Sequence, residues 1–172
     1  MRTSTATVIV IVLSTLLASS AAAVDELTLY QVTYPEDRDV DVEFSRDAKA
    51  PQARVEAEVE YRRGQAAIDL EYRDMKPAIL FRGDVTCYVL WAIQRGGTAE
   101  NLGEVWVRDP NETLQFSTGL KAFAMIITGE SHPLVTQPSG LVLFTSSAAD
   151  DQRAPSETFS YAGFAPAPDT EY

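Results

Sequence analysis

The sequence predicts an all-β protein, an immunoglobulin-like antiparallel β-sandwich of about seven to nine short strands, on three observations. Apolar and polar residues alternate with a period of two over several stretches, Gly, Pro, Asn and Asp interrupt these stretches about every 8 to 12 residues, and beyond the N-terminus no run has the 3.6-residue period of an amphipathic helix.

The alternation is clearest in ARVEAEVEY, residues 53–61, where Val55, Ala57, Val59 and Tyr61 share one parity and Glu56, Glu58 and Glu60 the other. Such a strand buries one face and wets the other. RRGQ supplies a turn at Gly64, and AAIDLEYR then sets Ile68, Leu70 and Tyr72 opposite Asp69 and Glu71, which predicts a hairpin. After DMKP comes VTCYVLWAI, a third strand, followed by a loop with Gly96-Gly97. LGEVWV is the fourth strand, with Val105 and Val107 on one face and Glu104 and Trp106 on the other. TLQFS, AFAMIIT and LVLFTS complete the set, the last two joined by GESHPLVTQPSG. LTLYQVTY and VDVEF, in the segment 24–52, have room for one or two more.

The chain opens MRTSTATVIVIVLSTLLASSAAAVDE, a basic residue, an apolar run from Val8 to Ala18 and a string of small residues. This is the pattern of a secretory signal peptide, 1–23, cut after Ala23, with the apolar run shorter than the ~20 residues that span a bilayer. The expected organisation is this leader, the extended segment 24–52, a sandwich domain over 53–146, and an acidic tail over 147–172, SAADDQRAPSETFSYAGFAPAPDTEY, expected to be disordered from its Pro, Ala and Ser content. Removing the leader takes away Arg2 and no acid, so the formal net charge goes from −11 to −12. That charge argues against nucleic acid and anionic membrane surfaces, which are bound through Lys/Arg clusters. The expected location is periplasmic or extracellular. A single cysteine allows no internal disulfide, so the fold must rest on its apolar core.

Three strands, 85–93, 122–127 and 141–144, are apolar on both parities. In the first, Cys87, Val89, Trp91 and Ile93 alternate with Tyr88, Leu90 and Ala92. A two-layer sandwich buries one face of each sheet, so a second apolar face needs a cover. The N-terminal segment, the tail aromatics Phe159, Tyr161 and Phe164, or a partner protein or second copy can supply it. With the Trp91 parity taken as core, Tyr88 and Leu90 become candidate partner-binding residues, together with Trp106 on the outward parity of its strand.

The remaining motifs carry weaker signals. Arg82-Gly83-Asp84 matches an adhesive tripeptide, but Gly-Asp before a strand is ordinary turn chemistry. Cys87 has no basic neighbour in sequence to activate it and reads as an inert core thiol. Glu130, Ser131 and the lone His132 are the basis of an alternative reading, a hydrolase or metal-dependent enzyme, although adjacent residues on an extended chain point apart. The acidic run Pro35-Glu36-Asp37-Arg38-Asp39 lacks the order of a calcium loop. Asn111-Glu112-Thr113 has the form of a glycosylation sequon. No catalytic, cofactor or metal residues are assigned.

CYVLWAI, the hairpin return NLGEVWV, and FAMIITGESHPLVTQPSGLVLF together resemble a family of secreted bacterial envelope proteins that pair a Tyr-Val-Leu-Trp-Ala strand with an Asn-Leu-Gly-Glu return and a later Thr-x-Glu…Pro-Ser connection. In some of these the module is similar to the extracytoplasmic part of anti-sigma-factor K, and in others it precedes an OmpA-type segment. The resemblance covers roughly residues 48–145 and implies a non-enzymatic, immunoglobulin-like envelope module. Its motif residues are structural in kind, Trp91 as core, Asn101-Leu102-Gly103 as turn, and Pro138-Ser139 as the start of a strand. The chain departs from the pattern in ending with the short acidic tail.

Overall fold

The computed structural model describes residues 26–81 and 83–165, so the expected leader lies outside the described residues. The chain is all-β and antiparallel, with strands β1 (Leu27–Thr33), β2 (Asp39–Arg46), β3 (Arg54–Arg62), β4 (Gln65–Arg73), β5 (Cys87–Ile93), β6 (Ala99–Glu104), β7 (Glu112–Thr118), β8 (Ala122–Glu130), β9 (Val142–Ser146) and β10 (Ser156–Tyr161), and one helical turn, α1 (Ala78–Phe81). The segment 24–52 thus holds two strands, β1 and β2.

β3 and β4 form the hairpin that the alternation predicts, in register from Arg54↔Arg73 to Arg62↔Gln65. Arg63 and Gly64 at its tip take positive φ angles of 52° and 81°, the conformation that a tight turn demands. The expected two-layer sandwich takes a more continuous form. Hydrogen bonding runs β6-β5-β8-β9-β2-β3-β4-β7 through one sheet that curls into a near-barrel. At the seam, Thr118 Oγ1 donates to Glu100 Oε2 at 2.7 Å, and a Cβ at Gly103 would come within 3.6 Å of the Phe116 ring.

Inside the curl lies the main core, with Val40, Val42, Val55, Ala57, Val59, Ile68, Leu70, Tyr72, Met125, Ile127 and Phe144 all buried. Tyr88, Leu90 and Ala92 also point into it, whereas Cys87, Val89, Trp91 and Ile93 face the other way into a second, smaller core. The expected assignment of the two β5 faces is therefore reversed. Period-two alternation separates two faces, but when both are apolar it does not say which meets the larger core.

The cover over the second face comes from both ends of the chain. β1 joins β8 only at Val32↔Phe123 and Thr33↔Ala122, and its N-terminal part pairs with β10 from Leu27↔Tyr161 to Val32↔Ser156. Leu29, Phe159 and Tyr161 of this ribbon pack on Trp91, Ile93, Ala124 and Ile126, with Phe164 edge-on to Tyr161 at 5.0 Å. The expectation of a disordered tail is corrected for residues 147–165, where SETFSY alternates and burial of Phe159 and Tyr161 favours an ordered strand. Residues 166–172 lie outside the described residues.

The expected strand LGEVWV also shifts, to Ala99–Glu104. A bulge at Leu90/Trp91 opposes Gly103, whose φ of 127° a residue with a Cβ rarely adopts, and beyond Glu104 the ladder continues only through Val105 N–H to Tyr88 O at 2.8 Å. Trp106 consequently stands on a connection and not on a strand face.

Tyr34 is fully buried in the main core with its ring 4.7 Å from that of Phe123, and its hydroxyl has no hydrogen-bond partner among the described residues. Burial pushes its ionisation well above the usual phenol range. A dry, unpaired hydroxyl costs about 1–3 kcal/mol. Tyr34→Phe is expected to leave stability unchanged or raise it by about 1 kcal/mol in urea denaturation. A loss of more than about 1 kcal/mol would show that the hydroxyl is hydrogen-bonded in solution.

Candidate functional site

β4 ends, β5 starts, β6 ends and β7 starts at the same end of the near-barrel, because Arg73 is in register with Arg54, Tyr72 with Glu112, and Val89 with Glu104. Residues 74–81, 83–86 and 105–111 therefore close this end together. Asp74 N–H donates to Asn111 Oδ1 at 3.0 Å and Met75 N–H to Pro110 O at 3.0 Å, so the two connections are tied to each other.

Two core tyrosines fasten them from beneath. The Tyr72 hydroxyl is directed at Trp106 O at 2.8 Å and Glu112 Oε2 at 3.0 Å, and the Tyr88 hydroxyl donates to Lys76 O at 3.0 Å. Each ring fills the core while its polar tip reaches the rim. Burial raises both phenols above their ordinary range, Tyr88 to about 12, and for Tyr72 the Glu112 carboxylate adds to the effect.

On this supported platform stand three exposed apolar side chains. α1 begins after Pro77, and Leu80 N–H bonds back to Pro77 O at 3.0 Å. One turn can turn only one side inward, so Ala78 and Phe81 pack on the core while Ile79 and Leu80 are 64% and 72% exposed. Trp106, 54% exposed, has the Arg108 guanidinium 5.6 Å from its ring centroid. Of the candidate partner-binding residues, Trp106 is thus on the surface. Tyr88 and Leu90 are buried in the main core and cannot contact a partner in this fold, a correction that follows from the reversed faces of β5. Ile79 and Leu80 had no periodic signal, since one helical turn is too short to show one.

The Glu130-Ser131-His132 stretch is split by the strand end. Glu130 is buried, and its Oε1 accepts hydrogen bonds from Thr128 Oγ1 and from Ser139 N–H at 2.8 Å. Trp91 Nε1–H donates to Thr128 Oγ1 at 2.8 Å, so indole, hydroxyl and carboxyl form one chain. Ser131 and His132 are exposed, and Ser131 takes part through its carbonyl, which accepts from Thr86 Oγ1 at 2.7 Å. Asn101 holds the following loop, donating from Nδ2 to Pro133 O at 2.9 Å and Val135 O at 2.8 Å while its Oδ1 accepts Gly103 N–H. Trp91, Thr128, Glu130 and Ser139 thus form one hydrogen-bonded chain, while Ala92 and Leu102 pack in the main core.

Cys87 is a buried free thiol, raised above its ordinary range by burial, and its Sγ lies 3.6 Å from Glu130 O. Gly83 and Asp84 form a turn before β5. Glu36 accepts Arg63 N–H at 2.8 Å, Asp37 pairs with Arg62 at 2.8 Å and Arg38 with Asp151 at 3.1 Å, so the acidic run is bound into the surface. Asn111 is exposed. Among the described residues, no group of three His, Cys, Asp or Glu is placed to hold a metal ion, and no helix is long and apolar enough to cross a membrane.

On the outside of the sheet, Asp39 faces Glu60, Asp41 faces Glu58, which faces Asp69, and Glu43 faces Glu56, which faces Glu71. Arginines 54, 62 and 73 pair with carboxylates at the strand ends. In the middle, Glu58 titrates above the usual carboxylate range through burial first and then the charges of Asp39, Asp41 and Asp69. Neither a protein-family model, a curated protein nor a solved structure matches the chain.

Proposed function

We propose that this protein is an exported, non-catalytic cell-envelope module of immunoglobulin-like type that binds another envelope protein or a second copy of itself through the end of the near-barrel. The observation that carries this reading is the set of Ile79, Leu80 and Trp106, exposed together at one end on connections that are hydrogen-bonded to the core. A tryptophan and two aliphatic side chains exposed at one end have the composition of an interface centre, at which aromatic anchors supply most of the binding free energy. The signal-peptide pattern and the resemblance to secreted bacterial envelope proteins support the location.

The test is a pair of substitutions, Trp106→Asp and Leu80→Asp, made in the mature chain. Both are expected to keep the thermal midpoint within a few degrees, because neither side chain is in a core. Each is expected to weaken capture of a crosslinked envelope partner, or self-association in light scattering, by about tenfold or more. Unchanged capture and unchanged mass for both variants would overturn the assignment of this end as the contact surface.

A further inference from the structure

The network around Glu130 has properties beyond those of a passive core. Glu130 ends β8, and its side chain is 5% exposed at the rim of the second core. Because Trp91 Nε1–H donates to Thr128 Oγ1, the Thr128 proton is left to point at Glu130 Oε1, so that oxygen is an acceptor for both Thr128 and Ser139 N–H. Ser139 fastens the connection further, its Oγ donating to Gly129 O at 2.9 Å and accepting Leu141 N–H at 3.2 Å. The last described residue is tied to the same spot, with Ala165 N–H donating to Pro138 O at 2.8 Å. Gly129 sits so close to Leu141 and Val85 that a Cβ would come within 2.9 Å and 3.0 Å of their methyl carbons, so the connection lies tightly over this point.

We propose that Glu130 is a proton-operated latch, its neutral carboxyl holding residues 131–141 and the end of the C-terminal segment closed over the second core and its ionisation letting them open. The physical reason is that closure buries the carboxyl, and among the described residues no Lys or Arg forms an ion pair with it. The charged and titratable neighbours are Cys87 on β5, Glu104 on β6 beyond it, and exposed His132 on the connection itself. Burial is the largest influence on Glu130 and raises its proton affinity above the ordinary value of 4.5, against the opposing hydrogen bonds from Thr128 and Ser139 and the imidazole of His132. By linkage, a carboxyl whose affinity for a proton is raised by closure stabilises the closed form fully below the ordinary value, and that contribution is lost as pH rises through the closed-state value.

Amide hydrogen exchange of the mature chain between about pH 4 and pH 8, corrected for intrinsic rates, tests this. The opening equilibrium at Ser139, Leu141 and Ala165 is expected to rise about threefold or more over that range, while amides of β3 and β4 do not follow it. Glu130→Gln keeps an acceptor oxygen and cannot ionise, so it is expected to hold the connection closed and flatten the dependence. His132→Asn and Glu104→Gln are expected to leave it in place. Should Glu130→Gln fail to fold, the Trp91 indole N–H resonance of the unmodified protein serves instead, and it is expected to titrate with the same midpoint as the opening. Exchange that is flat with pH, a dependence that survives in Glu130→Gln or vanishes in His132→Asn or Glu104→Gln, or a Trp91 signal that does not titrate would each overturn the latch.

Discussion

A chain ending at Ala154, without β10, is expected to lose its cooperative fold. The missing strand contributes six residues of ladder to β1 and the nearly buried rings of Phe159 and Tyr161. Burying rings of this size contributes about 1.5–3 kcal/mol each, and their removal also uncovers Leu29, Val89, Trp91 and Ile93. Against a total stability of roughly 5–15 kcal/mol, that loss is decisive. The single substitution Phe159→Ala is expected to cost about 3–5 kcal/mol, because the ribbon is held at both edges of the cavity and cannot collapse fully into it. Urea unfolding followed by circular dichroism separates the outcomes. A truncated chain with a native near-ultraviolet spectrum and an unchanged midpoint would show that β10 is dispensable.

Trp91→Ala is expected to be the most damaging single change in the second core, about 4–5 kcal/mol. The indole is fully buried, and its N–H orients the Thr128 hydroxyl toward Glu130. Trp91→Phe separates the two contributions. It keeps most of the ring but leaves the Thr128 oxygen without its donor, which predicts a loss of about 1–3 kcal/mol beyond the lost volume. In a double-mutant cycle with Thr128→Val, the coupling is expected to reach about 1 kcal/mol or more. Additive losses would mean that Trp91 acts through packing alone.

Both predictions concern a region of which the sequence shows only part. The double apolarity of CYVLWAI is plain in the text, and it correctly demands a cover for each face. The cover's address is not written there. Phe159 and Tyr161 do alternate with Thr158 and Ser160, yet two aromatics after a stretch of Ala, Asp and Pro look like a tail until β1 is placed beside them. The Trp106 surface was legible as an exposed indole. The accompanying Ile79 and Leu80 were not, because their exposure comes from α1 having a single turn with Ala78 and Phe81 turned inward.

The sequence by itself determined the all-β class, the β3–β4 hairpin and its acidic outer face, and the need for two covered faces on β5, since each follows from period-two patterning and turn chemistry within a dozen residues. Tertiary structure alone decided that Tyr88 and Leu90 enter the main core and Trp91 the second, that the strands curl into one near-barrel, and that residues 27–32 and 156–161 meet. Those outcomes depend on pairings between segments distant in sequence, more than a hundred residues apart for β1 and β10, whose free energy comes from apolar area that exists only once both partners are in place.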